Sequence, residues 1–109
     1  MAWSVQLLDN RVQRELDALP RDVRAHYDYI SKLLCDHGPA DVGRPRVRYV
    51  DKGLWEMRMN GRDGIARSLY AVEAGELILV LRFFVKKTQK TPKREIEIAL
   101  QRLKEWKSS

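Results

Sequence analysis

The stretch Leu54-Trp55-Glu56-Met57-Arg58-Met59-Asn60-Gly61-Arg62-Asp63-Gly64-Ile65-Ala66-Arg67 decides the fold class. Its first six residues alternate, with Trp55, Met57 and Met59 on one face and Leu54, Glu56 and Arg58 on the other, the period-two signature of a strand. Asn60-Gly61 within a run ending at Gly64 predicts a tight hairpin turn, because such turns use positive φ. Ile65 to Val72 and Glu76 to Val85 then form a second predicted hairpin around Ala74-Gly75. Upstream, Val47, Tyr49 and Asp51 alternate with Arg48 and Val50, and Lys52-Gly53 reads as a turn. Four consecutive strands joined by short turns predict an antiparallel meander.

The flanks are helical. Trp3 to Leu8 is short and apolar-rich and reads as an edge strand, followed by Asp9 and Asn10 as capping residues, with Gln13 placed for a capping box. Val12, Leu16 and Leu19 recur at helical spacing until Pro20. Val23, Tyr27, Ile30 and Leu34 mark a second helix that Gly38-Pro39 ends. A last helix carries Ile96, Ala99, Leu100, Leu103 and Trp106 on its buried stripe, with Thr91 as N-cap and Pro92 in its first turn. The expected fold is α+β: an N-terminal strand and a helical hairpin on a curved antiparallel sheet, then a C-terminal helix.

The 109 residues form one domain, 1–109, large enough for one modest core. The longest apolar run, Leu77 to Leu81, is far shorter than the ~20 residues of a membrane span. Met1-Ala2-Trp3 leads straight into strand, so no secretory signal is expected. A lone cysteine, Cys35, fits a reducing cytoplasm. His26, Cys35 and His37 are scattered, so neither a metal nor another cofactor is expected. The two histidines read as surface residues of the second helix, and Trp3, Trp55 and Trp106 as core or rim packing.

Charge is segregated along the chain. Residues 1–81 carry 12 Lys+Arg against 12 Asp+Glu, whereas residues 82–109 carry 9 against 3, which is the whole net charge of +6. Lys86, Lys87, Lys90, Lys93 and Arg94 lie between a strand and a helix with no acid among them. Such a strip suits a polyanion, and free N–H groups at a helix start favour phosphate. Phe84 beside it is a candidate for stacking on a base. A lysine-rich loop that keeps a sheet edge soluble is the plainer reading. Strand-borne Arg58, Arg67 and Arg82 require either carboxylate partners such as Glu56 or a wet groove. Ion pairing is favoured for Arg82 and Glu56, a groove for Arg58 and Arg67. Arg44, Arg46 and Arg48 fit either an extension of the positive surface or a solvated strand face.

The segments Gly53-Leu54-Trp55-Glu56-Met57-Arg58, Ile65-Ala66-Arg67-Ser68-Leu69-Tyr70 and Phe84-Val85-Lys86-Lys87-Thr88-Gln89-Lys90-Thr91-Pro92 resemble the phage-derived Gp49/HigB-like branch of the RelE/ParE toxin superfamily. Glu95 to Arg102 and Glu15-Leu16-Asp17-Ala18-Leu19-Pro20 fit as well, so the likeness spans nearly the whole chain. The resemblance implies the toxin of a type II toxin–antitoxin pair, usually a ribosome-dependent mRNA endoribonuclease, neutralised by a helix-turn-helix antitoxin. Arg67 matches the arginine that RelE-type toxins place on the scissile phosphate, and Arg58 a position that is basic in RelE. Glu56 stands where RelE has a lysine, and lysines and threonines replace the C-terminal arginine and tyrosine of RelE.

Metal-free RNA cleavage needs a proton acceptor for the 2′-OH, charge stabilisation at phosphorus and a proton for the leaving oxygen. Like-charge crowding around Lys86, Lys87 and Lys90 lowers a lysine pKa toward that task, and Arg58 and Arg67 suit the phosphate. The expected catalytic set is therefore Arg67, Lys87, Lys90 and Arg58. RNA contacts are expected from Lys86, Lys87, Lys90, Lys93 and Phe84. The ribosome would supply proximity. A ParE-like gyrase inhibitor and a non-catalytic RNA-binding module stand as alternatives.

Overall fold

The computed structural model describes residues 3–62, 64–87 and 90–109. Its elements run β1 (Ser4–Leu7), α1 (Asn10–Asp17), α2 (Arg21–Val42), β2 (Val47–Asp51), β3 (Leu54–Gly61), β4 (Gly64–Glu73), β5 (Leu77–Val85) and α3 (Lys93–Ser108). The strands form one sheet in the order β1-β5-β4-β3-β2. The meander is antiparallel as expected, and β1 is an edge strand, joined parallel to β5 with Ser4 opposite Leu77 and Leu7 opposite Val80. The α+β expectation holds. Among the described residues no helix is long and apolar enough to cross a membrane.

Both faces of the sheet are covered. Val12, Leu16, Val23, Tyr27, Ile30 and Leu34 of α1 and α2 pack on Met57, Met59, Tyr70, Val80 and Phe83. On the opposite face, Ala99 and Leu103 of α3 pack on Leu54, Leu69, Leu79, Leu81 and Phe84. The alternation read in β3 therefore sorts its residues correctly. In β5 the alternation slips: Leu69 faces Arg82 but Tyr70 faces Val80, leaving an extra residue at Leu81. Phe84 consequently points into the α3 core at 6% exposure. It offers no face to a base, a correction to the stacking role expected for it.

Three local readings also change. Asn60 and Gly61 stay within β3, with Gly61 paired to Gly64, and Gly61 does not take positive φ. Its glycine is required by proximity, since a Cβ there would lie 2.5 Å from Val23 Cγ2. Asp63 of that turn lies outside the described residues. Asp9, not Asn10, caps α1, accepting from the Arg11 and Val12 N–H groups, and Gln13 bonds Asp17 instead of closing a capping box. Pro92, not Thr91, occupies the cap position of α3, without a side-chain cap bond. The Gly38-Pro39 break is real: Gly38 takes φ 80°, and one more turn runs on to Val42.

Arg82 is paired, as expected, but not with Glu56. It donates to Glu15 at 2.5 Å and Glu95 at 2.6 Å, while Arg102 donates to Glu15 at 2.7 Å and to the Leu81 carbonyl. This network ties α1, β5 and α3 together. It holds the two helical layers on the sheet and takes these charges out of the question of function.

Candidate nucleic-acid interface

The site is built where α3 stops short of covering the sheet. Cross-strand register places Arg48 opposite Glu56 on β2 and β3, and Arg58 opposite Arg67 on β3 and β4. Facing residues share a side of the sheet, so one patch receives three arginines and one carboxylate. The loop before β2 adds Arg44 and Pro45. Lys86, whose N–H donates to the Ile65 carbonyl at 2.9 Å, extends the end of β5. Lys90 and Thr91 come from the approach to α3.

Arg44, Arg48, Arg58, Lys86 and Lys90 line one open basin of about 620 Å³, with Pro45, Val50, Thr91 and Ile96. Among the described residues no acid lines it. Of the expected site residues, Arg58, Lys86 and Lys90 are thus brought together, whereas Lys87 and Lys93 are exposed outside the lining. Thr88 and Gln89 lie outside the described residues. Arg44 and Arg48 turn out to extend the positive surface.

Beneath the basin sits Glu56, 2% exposed. It accepts from Arg48 Nε at 3.1 Å and from the Thr91 hydroxyl. Thr91 also receives a hydrogen bond from Arg48 Nη2 at 3.3 Å. The carboxylate therefore pins the basic loop to the sheet and orients Arg48. The threonine expected as a helix cap serves this clamp instead, because an unpaired carboxylate at this depth would be costly.

Arg67, for which a wet groove is expected, is instead buried at 2% exposure beside Arg58 and outside the basin lining. Its Nη1 donates to the Ala66 carbonyl at 2.8 Å, and its Nε is 3.8 Å from Glu56 Oε1, too far for a hydrogen bond. Burial pushes its pKa below the usual arginine range, Arg58 and Arg48 push the same way, and Glu56 only partly opposes them. The guanidinium is thus a charge with an unfilled donor, packed beside like charges. Lys86 is shifted downward too, first by burial and then by Arg67, Arg48 and Arg58, against the pull of Glu56. Burial leads at Lys86, and the like charges that add to it are arginines, not the neighbouring lysines of the expected crowding.

A second basin of about 580 Å³ adjoins the first through Pro45 and Arg58, and His26, Arg46 and Asn60 complete its wall. His26 lies at the surface of α2 as expected, half-buried, and lines this cationic hollow. His37 is exposed on α2 as expected.

These surfaces are chemically suited to a chain of phosphates. Arginines chelate phosphate oxygens in pairs, and an ammonium with a depressed pKa can release a proton. Among the described residues no three His, Cys, Asp or Glu side chains gather as a metal site.

The family model of phage-derived Gp49-like proteins (DUF891) matches residues 14–104. No curated protein matches the chain.

Proposed function

The chain belongs to the phage-derived Gp49-like family, and from that membership and the five-cation basin we propose that it is the toxin of a type II toxin–antitoxin pair, cutting mRNA on the ribosome. The reading is supported chiefly by a basin that no acid lines among the described residues, with a buried, incompletely bonded arginine beside Arg58. In the proposed reaction the ribose 2′-oxygen bonds to the adjacent phosphorus, the P–O5′ bond breaks, and a 2′,3′-cyclic phosphate and a 5′-hydroxyl result. Arg58 and Arg48 hold the non-bridging oxygens as charge builds on them, and the buried charge of Arg67 beside them strengthens the field at the phosphate without touching it. Lys86 gives its proton to the departing 5′-oxygen, and water takes the 2′ proton. The ribosome fixes the RNA in line, which offsets the modest strength of this set in free solution. A helix-turn-helix antitoxin encoded nearby is the proposed neutralising partner, and the cytoplasm the proposed compartment.

The test is controlled induction with and without the neighbouring gene, followed by mapping of RNA 5′ ends. New 5′-hydroxyl ends inside translated regions, abolished by Lys86→Arg, are expected. Growth arrest with intact mRNA and inhibited DNA supercoiling would replace this reading with gyrase poisoning.

A further inference from the structure

The second basin differs from the first in having an aromatic ring, His26, in its lining, with Tyr29 next to it just outside the lining. On α2, His26 and Tyr29 lie nearly parallel, at 17° with centroids 6.3 Å apart. The Arg46 guanidinium stands over the Tyr29 ring at 5.7 Å. Tyr29 is 50% exposed and belongs to neither core cluster. The Asn60 backbone N–H donates to His26 Nδ1 at 2.8 Å. Nδ1 therefore carries no proton, and the neutral imidazole has its hydrogen on Nε2. This ring can donate from Nε2 but cannot accept there.

We propose that this basin is a nucleobase subsite on the RNA path, in which a base splayed from a single strand stacks on the Tyr29–His26 platform. The inference rests on the RNA reading above. Arg58 walls both basins, so a phosphate held there places its neighbouring nucleotide in the second one. Arg46 and His26 Nε2 present donors, which favours a base edge rich in acceptors, such as guanine N7 and O6. An acidic protein segment would use the same cations but has no need of a flat ring. The aromatic pair therefore favours RNA over a protein occupant.

The test compares two polyanions of matched charge at low salt: a fluorescent ten-nucleotide single-stranded RNA and inorganic polyphosphate. Tyr29→Ala should weaken RNA binding on the order of 10-fold, the worth of one stacked base, and leave polyphosphate affinity unchanged. Tyr29→Phe should retain wild-type affinity for both, which separates stacking from loss of fold. Arg48→Ala should weaken both ligands alike. Equal effects of Tyr29→Ala on RNA and polyphosphate, or none on either, would overturn the subsite while leaving cleavage by the first basin standing. Failure of the unaltered protein to bind the RNA at all would overturn the subsite, whereas the absence of new 5′-hydroxyl ends on induction would overturn the cleavage reading.

Discussion

Replacing Arg67 by methionine separates a functional arginine from a structural one, because the two roles predict opposite changes in stability. The guanidinium is 2% exposed, donates one hydrogen bond to Ala66 and leaves Nε unbonded. At 3.8 Å from Glu56, Coulomb attraction at an effective dielectric near 20 is about 4 kcal/mol. Desolvating a buried ion costs several kcal/mol, and the neighbouring arginines add repulsion. The downward pKa direction says that the costs win: the charged form is less favourable in the fold than in water. Glu56 keeps Arg48 and Thr91 when Arg67 is lost. A methionine side chain in its place would fill similar volume without a charge, so Arg67→Met should stabilise by about 1–2 kcal/mol. For 109 residues, with ~2.1 cal/mol/K of unfolding entropy per residue, that raises Tm by roughly 4–9 °C. Calorimetry measures it, and cleavage of ribosome-bound mRNA should fall at least ~100-fold in the same variant. A Tm lowered by more than a few degrees with cleavage retained would refute the reasoning and make Arg67 half of a structural ion pair.

Lys86→Arg should keep ribosome affinity, since the charge remains, and cut the cleavage rate by ~100-fold or more, since arginine releases no proton near neutrality; wild-type rates would exclude Lys86 as the acid. Alanine at Lys87 or Lys93, outside the basin lining, should lower ribosome affinity slightly and leave the single-turnover rate unchanged. Thr91→Val removes a donor from buried Glu56 and should lower stability by about 1–3 kcal/mol in urea titration, while slowing cleavage through a misplaced Lys90 and Arg48. Burial raises the Glu15 pKa, but Arg102, the Phe83 N–H and Arg82 together hold it below the usual value. Its contribution is therefore complete above pH ~4.5 and is lost as pH falls through the lower folded value. Glu15→Gln should cost about 3 kcal/mol at pH 7 and flatten the acid limb of the Tm-versus-pH curve.

What the sequence discloses and what it conceals follow from the range of the forces involved. The strands of the meander are legible because each alternation is set by neighbours two residues apart, and β3 sorts its faces as read. The charge strip is legible because Lys86 to Arg94 are adjacent in the chain. Phe84 is misread because its fate depends on an extra residue near Leu81 and on α3 covering the second face, neither of which leaves a local pattern. Thr91 sits in front of a proline and so looks like a cap, yet Glu56, 35 residues away, claims its hydroxyl. Arg44 and Arg48 enter the basin only because β2 pairs with β3 in a particular register. The alternation of three arginines around Pro45 and Val47 is the one local hint, and it points equally to solvent. Topology also decides which lysine is special. Lys86, Lys87 and Lys90 are equivalent as letters in a strip, but only Lys86 closes the end of β5 and is half-buried against Arg67. Burial and like charge each lower a lysine pKa, and both act on Lys86 at the end of β5. Lys86 is the proposed proton donor for that reason, where the chain's letters alone point to Lys87 and Lys90.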